Sequence, residues 1–199
     1  MKILAFTDLH DNKKAIKKII KDAKEENPDI LICAGDLSNF GTNFKKLLLE
    51  FKKAKTRLLI IPGNHETGDQ VKNACKKTKF AISIHKGIYQ LGKYLFMGYG
   101  EEGFVKEDKE FEHLAKSFKK EIKKDSKVIL VTHAPPYKTK LDYLETTKDH
   151  HGNNSIRKFI NLTKPILSIC GHLHENENKI DKIKETIILN PGKGKIIEI

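Results

Sequence analysis

Seven side chains able to donate to a cation each follow a short apolar run. They are Asp8 and His10 in "FTDLH", Asp36 in "ICAGD", Asn64 in "IIPGNHE", His133 in "LVTH", and His172 with His174 in "SICGHLH". All offer oxygen or imidazole nitrogen, and no thiolate is among them. Such donors suit manganese first, with iron, nickel or zinc as alternatives, rather than magnesium or calcium alone. Seven ligands exceed what one tetrahedral ion accepts. If one carboxylate bridges, they divide into two sets of four, as a centre of two metal ions about 3.5–4 Å apart requires.

The elements that must position these residues alternate between apolar runs and helical patterns. Strands are expected at Lys2 to Thr7, Asp29 to Ala34 and Arg57 to Pro62, with helices near Asn12 to Glu26 and Asn43 to Ala54, a βαβαβ opening. Short β segments span Ala81 to Tyr99, and a helix is expected near Lys106 to Lys124. "KVILVT" and "PILSIC" read as strands and "NSIRKFINLT" as a helix, while "ETIILN" and "GKIIEI" suggest a terminal hairpin around "PGKG". No composition shift marks a boundary, so one domain over residues 1–199 is expected.

In α/β sheets the loops beyond the carboxyl ends of strands converge on one crevice, so donors from distant parts of the chain can meet there. Residues i and i+2 of an extended stretch face the same way, which lets Asp8 act with His10, and His172 with His174. Gly35, Gly63 and Gly171 precede Asp36, Asn64 and His172, as tight turns or close backbone approaches would require.

The motifs D-x-H (Asp8, His10), G-D (Gly35, Asp36), G-N-H-E (Gly63 to Glu66), a strand-end His133 and G-H-x-H (Gly171, His172, His174) occur in the order found in the calcineurin-like metallophosphoesterases, which the chain therefore resembles. One of these motifs alone is weak; five in order are specific. "ILNPGK" also looks like the strand and turn that close such domains. The resemblance implies a four-layer α/β/β/α sandwich of two mixed β-sheets flanked by helices. It implies that Asp8, His10, Asp36 and His174 hold one divalent ion, and Asp36, Asn64, His133 and His172 a second. His65 would then face the substrate, stabilising phosphate or protonating a leaving group. The implied reaction is in-line attack on phosphorus by a hydroxide bridging the two ions, with phosphodiesters expected ahead of monoesters.

The region "HAPP…HHG…SIR" resembles small phosphodiesterases, including those of cyclic-nucleotide type, that lack large cap domains. "GDLSNFG" lacks the aspartate and arginine that follow G-D in protein phosphatases, and no added DNA-gripping domain is expected. Asp11 stands where relatives often carry glycine after the D-x-H histidine. His151, before Gly152 and a helix start, has two readings: a phosphate-binding turn or an exposed loop with Asn153 to Ser155 capping the helix. His85, His113 and His150 match no motif and read as solvated or packed histidines.

With 38% hydrophobic and 32% charged residues the chain reads as globular, and its N-terminal apolar run is too short for a membrane span or a signal segment. Cys33, Cys75 and Cys170 fit neither a metal motif nor a disulfide framework, so reduced thiols and a cytoplasmic location are expected. The net charge of +12 suits an anionic partner such as a phosphate ester, a nucleotide or nucleic acid. Most of it sits on helical patterns such as "NKKAIKKIIKDAKEE", where solvated outer faces account for it. The rival reading from another class is a basic nucleic-acid-binding protein with a non-catalytic metal site.

Overall fold

The computed structural model describes residues 1–199. Alternation along the strands divides their side chains between two faces. In β1 (Lys2–Phe6), Ile3 and Ala5 face one way and Leu4 and Phe6 the other. The same split runs through β2 (Ile30–Cys33) and β3 (Leu58–Ile60), both wholly buried. With β4 (Ala81–Ser83) these form a parallel sheet, to which β13 (Lys195–Glu198) adds antiparallel on the outer edge of β1.

A second sheet has the order β11-β12-β10-β7-β6-β5. Its centre is parallel: β6 (Tyr94–Tyr99), β7 (Lys127–Thr132), β10 (Leu167–Ile169) and β12 (Thr186–Leu189). Its edges, β5 (Gly87–Leu91) and β11 (Ile180–Ile183), are antiparallel.

Three cores follow. Ile3, Ala5, Ile32, Phe96, Ile129 and Ile169, among others, fill the space between the sheets. The outer face of the first sheet packs against α1 (Lys13–Glu26), α2 (Phe44–Glu50) and α3 (Gly68–Lys76) through residues such as Phe6, Ile19, Leu48 and Val71. The outer face of the second packs against α4 (Lys109–Glu121) and α5 (Asn154–Thr163) through Phe111, Phe118 and Phe159. The architecture is the four-layer α/β/β/α sandwich of two mixed sheets.

Two sequence expectations are corrected. The terminal hairpin does not form: β12 already has β10 on one edge and β11 on the other, so no edge is left for β13. The chain instead turns through Gly192 (φ 52°) and Gly194 (φ 123°) and crosses to the free edge of β1. Helix α3, directly after the G-N-H-E motif, is not among the expected elements; Thr67 caps it by accepting from Gln70 N–H, and Val71, Ala74 and Cys75 bury its face. A two-stranded ribbon, β8 (Tyr143–Leu144) with β9 (Asp149–His150), stands apart from both sheets. All three cysteines are buried and unpaired. No helix is long and apolar enough to cross a membrane.

Candidate metal centre

Strands β1, β2, β3, β7 and β10 each deliver a donor just past their carboxyl ends, and the structure brings all seven expected donors to one place. The two sheets are tied there directly. His172 N–H donates to both Asp8 carboxylate oxygens at 3.0 and 3.3 Å, and His133 Nδ1 lies 2.9 Å from Ala34 O. Close approach explains two of the glycines. A Cβ on Gly171 would stand 2.0 Å from Thr7 Oγ1, and one on Gly63 would stand 2.0 Å from Asp36 Oδ1.

The donors do not converge by strand alternation. Asp8 (φ 53°), His10 (φ 42°) and His172 (φ 71°) occupy the left-handed region, so tight turns aim the paired side chains. Backbone bonds hold those turns, with Asp8 N–H on Gly35 O at 3.1 Å and His10 N–H on Asp36 O at 3.0 Å.

In one half of the cluster His10 Nε2 and His174 Nε2 lie 3.0 Å apart, with Asp8 Oδ1 3.6 Å from His174 and Asp36 Oδ2 3.6 Å from His10. In the other, His133 Nε2 lies 3.0 Å from Asn64 Oδ1 and 3.4 Å from Asp36 Oδ2, and His172 Nδ1 lies 2.9 Å from Asn64 Oδ1. The Asp36 carboxylate faces both halves.

These contacts fit a cation. His133 Nδ1 sits 2.9 Å from Ala34 O, which can only accept, so that nitrogen carries a proton. A neutral His133 therefore turns the lone pair of Nε2 onto two oxygen acceptors. Burial disfavours a charge on this ring, yet the hydrogen bond and charge of Asp36, joined by Asp8 and Glu102, raise its pKa to about 10. Without metal, a proton occupies the position that a cation suits. Burial and then the charge of His133 lower His172 to about 4, and burial lowers His10. Asp8 and Asp36 are held below the usual carboxylate range; burial opposes this, but hydrogen bonds from His174 and His133 outweigh it.

His65 reaches the same cluster. Its Nδ1 accepts from Phe40 N–H at 3.3 Å, which leaves the proton on Nε2, 4.0 Å from Asp36 Oδ2. Its own N–H donates to Asp36 Oδ1 at 2.9 Å.

Two acids escaped the sequence reading. Glu66, the last residue of G-N-H-E, is buried and accepts from Asp36 N–H (3.1 Å), Gly63 N–H (3.1 Å), and Ser38 N–H (2.7 Å) and O–H (2.9 Å). It clamps the loops bearing Asp36 and Asn64 together, and its motif position was the available signal. Glu102 is buried beyond β6, with Oε1 accepting from His133 N–H and Ala134 N–H at 3.1 Å each. Burial raises its pKa to about 8. Nothing in the sequence around it carried that signal.

His151 does not present a phosphate-binding turn. The N–H groups of Lys138, Thr139 and Gly152 point inward onto the buried Asp142 carboxylate, and Asn153 caps α5 by accepting from Ile156 N–H. His85 is packed against Glu101, His150 bonds Asp142, and His113 is exposed.

The profile of the calcineurin-like phosphoesterases matches residues 1–176, and the chain belongs to that family. It is thereby a metallophosphoesterase, a hydrolase of phosphoric esters that uses divalent metal. An uncharacterized protein of Methanocaldococcus jannaschii is 30% identical over 96% of this chain and 88% of its own length. A probable glycerophosphodiester phosphodiesterase of Arcobacter nitrofigilis is 23% identical over 74% of this chain and 57% of its own. The crystal structure of TT1561 of Thermus thermophilus shares the fold, with a TM-score of 0.76 at 17% identity over 96% of this chain and 88% of that one.

Glu66→Ala strands four buried donors, so the urea midpoint is expected to fall by an amount worth about 2–4 kcal/mol; an unchanged midpoint contradicts the clamp. Loading the metal-free protein at about pH 7 is expected to release at least about one proton, from His133, and affinity is expected to fall as pH falls. Calorimetry in buffers of different ionisation heat reads this. Uptake without proton release contradicts it.

Proposed function

We propose that this chain, as one domain over residues 1–199, is a cytoplasmic phosphodiesterase with a dinuclear centre, manganese being the expected metal. The observation that carries the reading is the meeting of two donor sets around one buried carboxylate, with a proton-bearing His65 Nε2 beside it. Asp8, His10, Asp36 and His174 would hold one ion, and Asp36, Asn64, His133 and His172 the other. When bound, the ions supply Lewis acidity, a water of lowered pKa and neutralisation of phosphoryl charge.

The protein's own groups do the rest. His133 is held by the bond of its Nδ1–H to Ala34 O, so its ring is already aimed at the centre. Glu66 holds the Asp36 and Asn64 loops in register. His65, its tautomer set by Phe40 N–H, donates from Nε2 to a phosphoryl oxygen or to the departing ester oxygen. The relative described as a probable glycerophosphodiester phosphodiesterase supports diesters as the substrate class.

One observation favours a nuclease instead. Lys13, Lys17 and Lys46 line a groove of about 480 Å³ between α1 and α2 that begins at Asp11, next to His10. That reading requires binding of single-stranded nucleic acid that weakens steeply with salt.

His65→Ala is expected to lower kcat on bis(p-nitrophenyl) phosphate by about 10²–10⁴-fold, with metal content and thermal midpoint unchanged. Full activity with full metal content contradicts the role. Faster turnover of p-nitrophenyl phosphate than of the diester by the wild-type protein would recast it as a monoesterase.

A further inference from the structure

Two exposed phenylalanines stand directly on the histidine cluster. Phe40 is 81% exposed and lies over the His65 ring, with centroids 4.3 Å apart. Phe104 is 66% exposed and meets the His172 ring at 4.5 Å, nearly edge-on. His65 neighbours His10, whereas His172 neighbours His133. Each phenylalanine therefore borders a different half of the donor cluster.

A scattered exposed phenylalanine needs no explanation. Here the backbone is built around both. Phe40 adopts φ 49°, a left-handed conformation that bulky side chains avoid, so the fold bears a local strain to keep it there. Its loop is fixed residue by residue: Ser38 bonds Glu66, Asn39 Nδ2 donates to His10 O, and Gln70 Nε2 donates to Gly41 O. Phe104 follows Gly103, which lies beside His172 and Asn64, within van der Waals reach of a Cβ at that position. Glu102, bonded to the His133 and Ala134 amides, anchors that segment. Both rings are thus presented to solvent by ordered backbone at the rim of the site.

A phosphodiester carries organic groups on two ester oxygens, and a monoester on one. Two apolar platforms, one beside each donor set, match the diester. The terminal dianion of a monoester is a frequent target of arginine forks. Both arginines of this chain bond elsewhere, Arg57 to Tyr89 Oη and Arg157 to the carbonyls of Tyr137 and Lys138.

We infer that Phe40 and Phe104 receive the two organic arms of the substrate by stacking, so that diesters bearing planar aromatic groups, nucleobases above all, are preferred over aliphatic ones. This rests on the phosphodiesterase reading above. Base–aromatic stacking tolerates any base because every base has a π face, so the site selects for a ring and not for one sequence.

The test uses the manganese-loaded full chain with Phe40→Ala, Phe104→Ala and the corresponding Trp variants. Calorimetric affinities for AMP and glycerol 3-phosphate are compared, as are kcat/KM values for a dinucleoside monophosphate and for glycerophosphoethanolamine. The wild-type protein is expected to bind AMP at least about tenfold more tightly than glycerol 3-phosphate. At least one alanine variant is expected to erase that margin, and each to lower the dinucleoside-to-glycerol ratio of kcat/KM about tenfold through KM, with Trp restoring it. Equal wild-type affinities overturn the inference. So does an equal loss on both substrates, which would make the rings mere supports for His65 and His172. The two readings fail separately. AMP preference without diester turnover sinks the phosphodiesterase and leaves the aromatic subsite; diester turnover without ring preference does the reverse.

Discussion

The Asp36 carboxylate is the point on which the site depends. It is buried, it lies within 3.4 to 4.0 Å of the ring nitrogens of His133, His10 and His65, and its residue is tied through backbone N–H groups to Glu66 and His65. A buried carboxylate in such company is stable only with compensating positive charge. The raised pKa of His133 is one form of that compensation, and bound metal is the other. Protonation and metal loading are therefore alternative answers to the same electrostatic demand.

The fold meets the geometric half of that demand by aligning the parallel strands of both sheets so that their carboxyl ends face one crevice. The inter-sheet core, with Ile32, Phe96, Ile129 and Ile169, fixes the separation of the sheets, and the Asp8 to His172 bond closes their open end. Donors separated by 164 residues thus sit in contact. Four of the donors, Asp8, His10, Asp36 and His172, take positive φ, so local backbone strain is part of how their side chains are aimed.

Much of this was legible in the sequence because the donors lie at the ends of buried strands, where a run such as "ICAGD" records both the strand and its functional terminus. The four layers came from the family resemblance, since periodicity alone gives only α/β alternation. What stayed hidden depended on partners distant in sequence. "ETIILN" and "GKIIEI" carry hairpin signals, yet the pairing is decided by which edges β10 and β11 leave free. The i, i+2 spacing of Asp8 and His10 points to the right pair for the wrong reason, because a left-handed turn and not a pleat brings them together. Glu66 and Glu102 act by accepting backbone N–H groups of other loops; the G-N-H-E motif marks the position of Glu66 but not that role, and nothing local marks Glu102. Of the two readings of His151, the phosphate-binding turn fails because the Asp142 carboxylate takes the surrounding amides, while the capping of α5 by Asn153 stands.

The central claim is that one carboxylate is shared by two metal ions. Metal content per chain, measured by elemental analysis after manganese loading and dialysis, tests it in the wild-type protein and in Asp36→Ala. Two ions per chain that are lost together in the variant are the predicted result. One ion per chain in the wild-type protein, or an Asp36→Ala variant that keeps one ion with undiminished affinity, would contradict it.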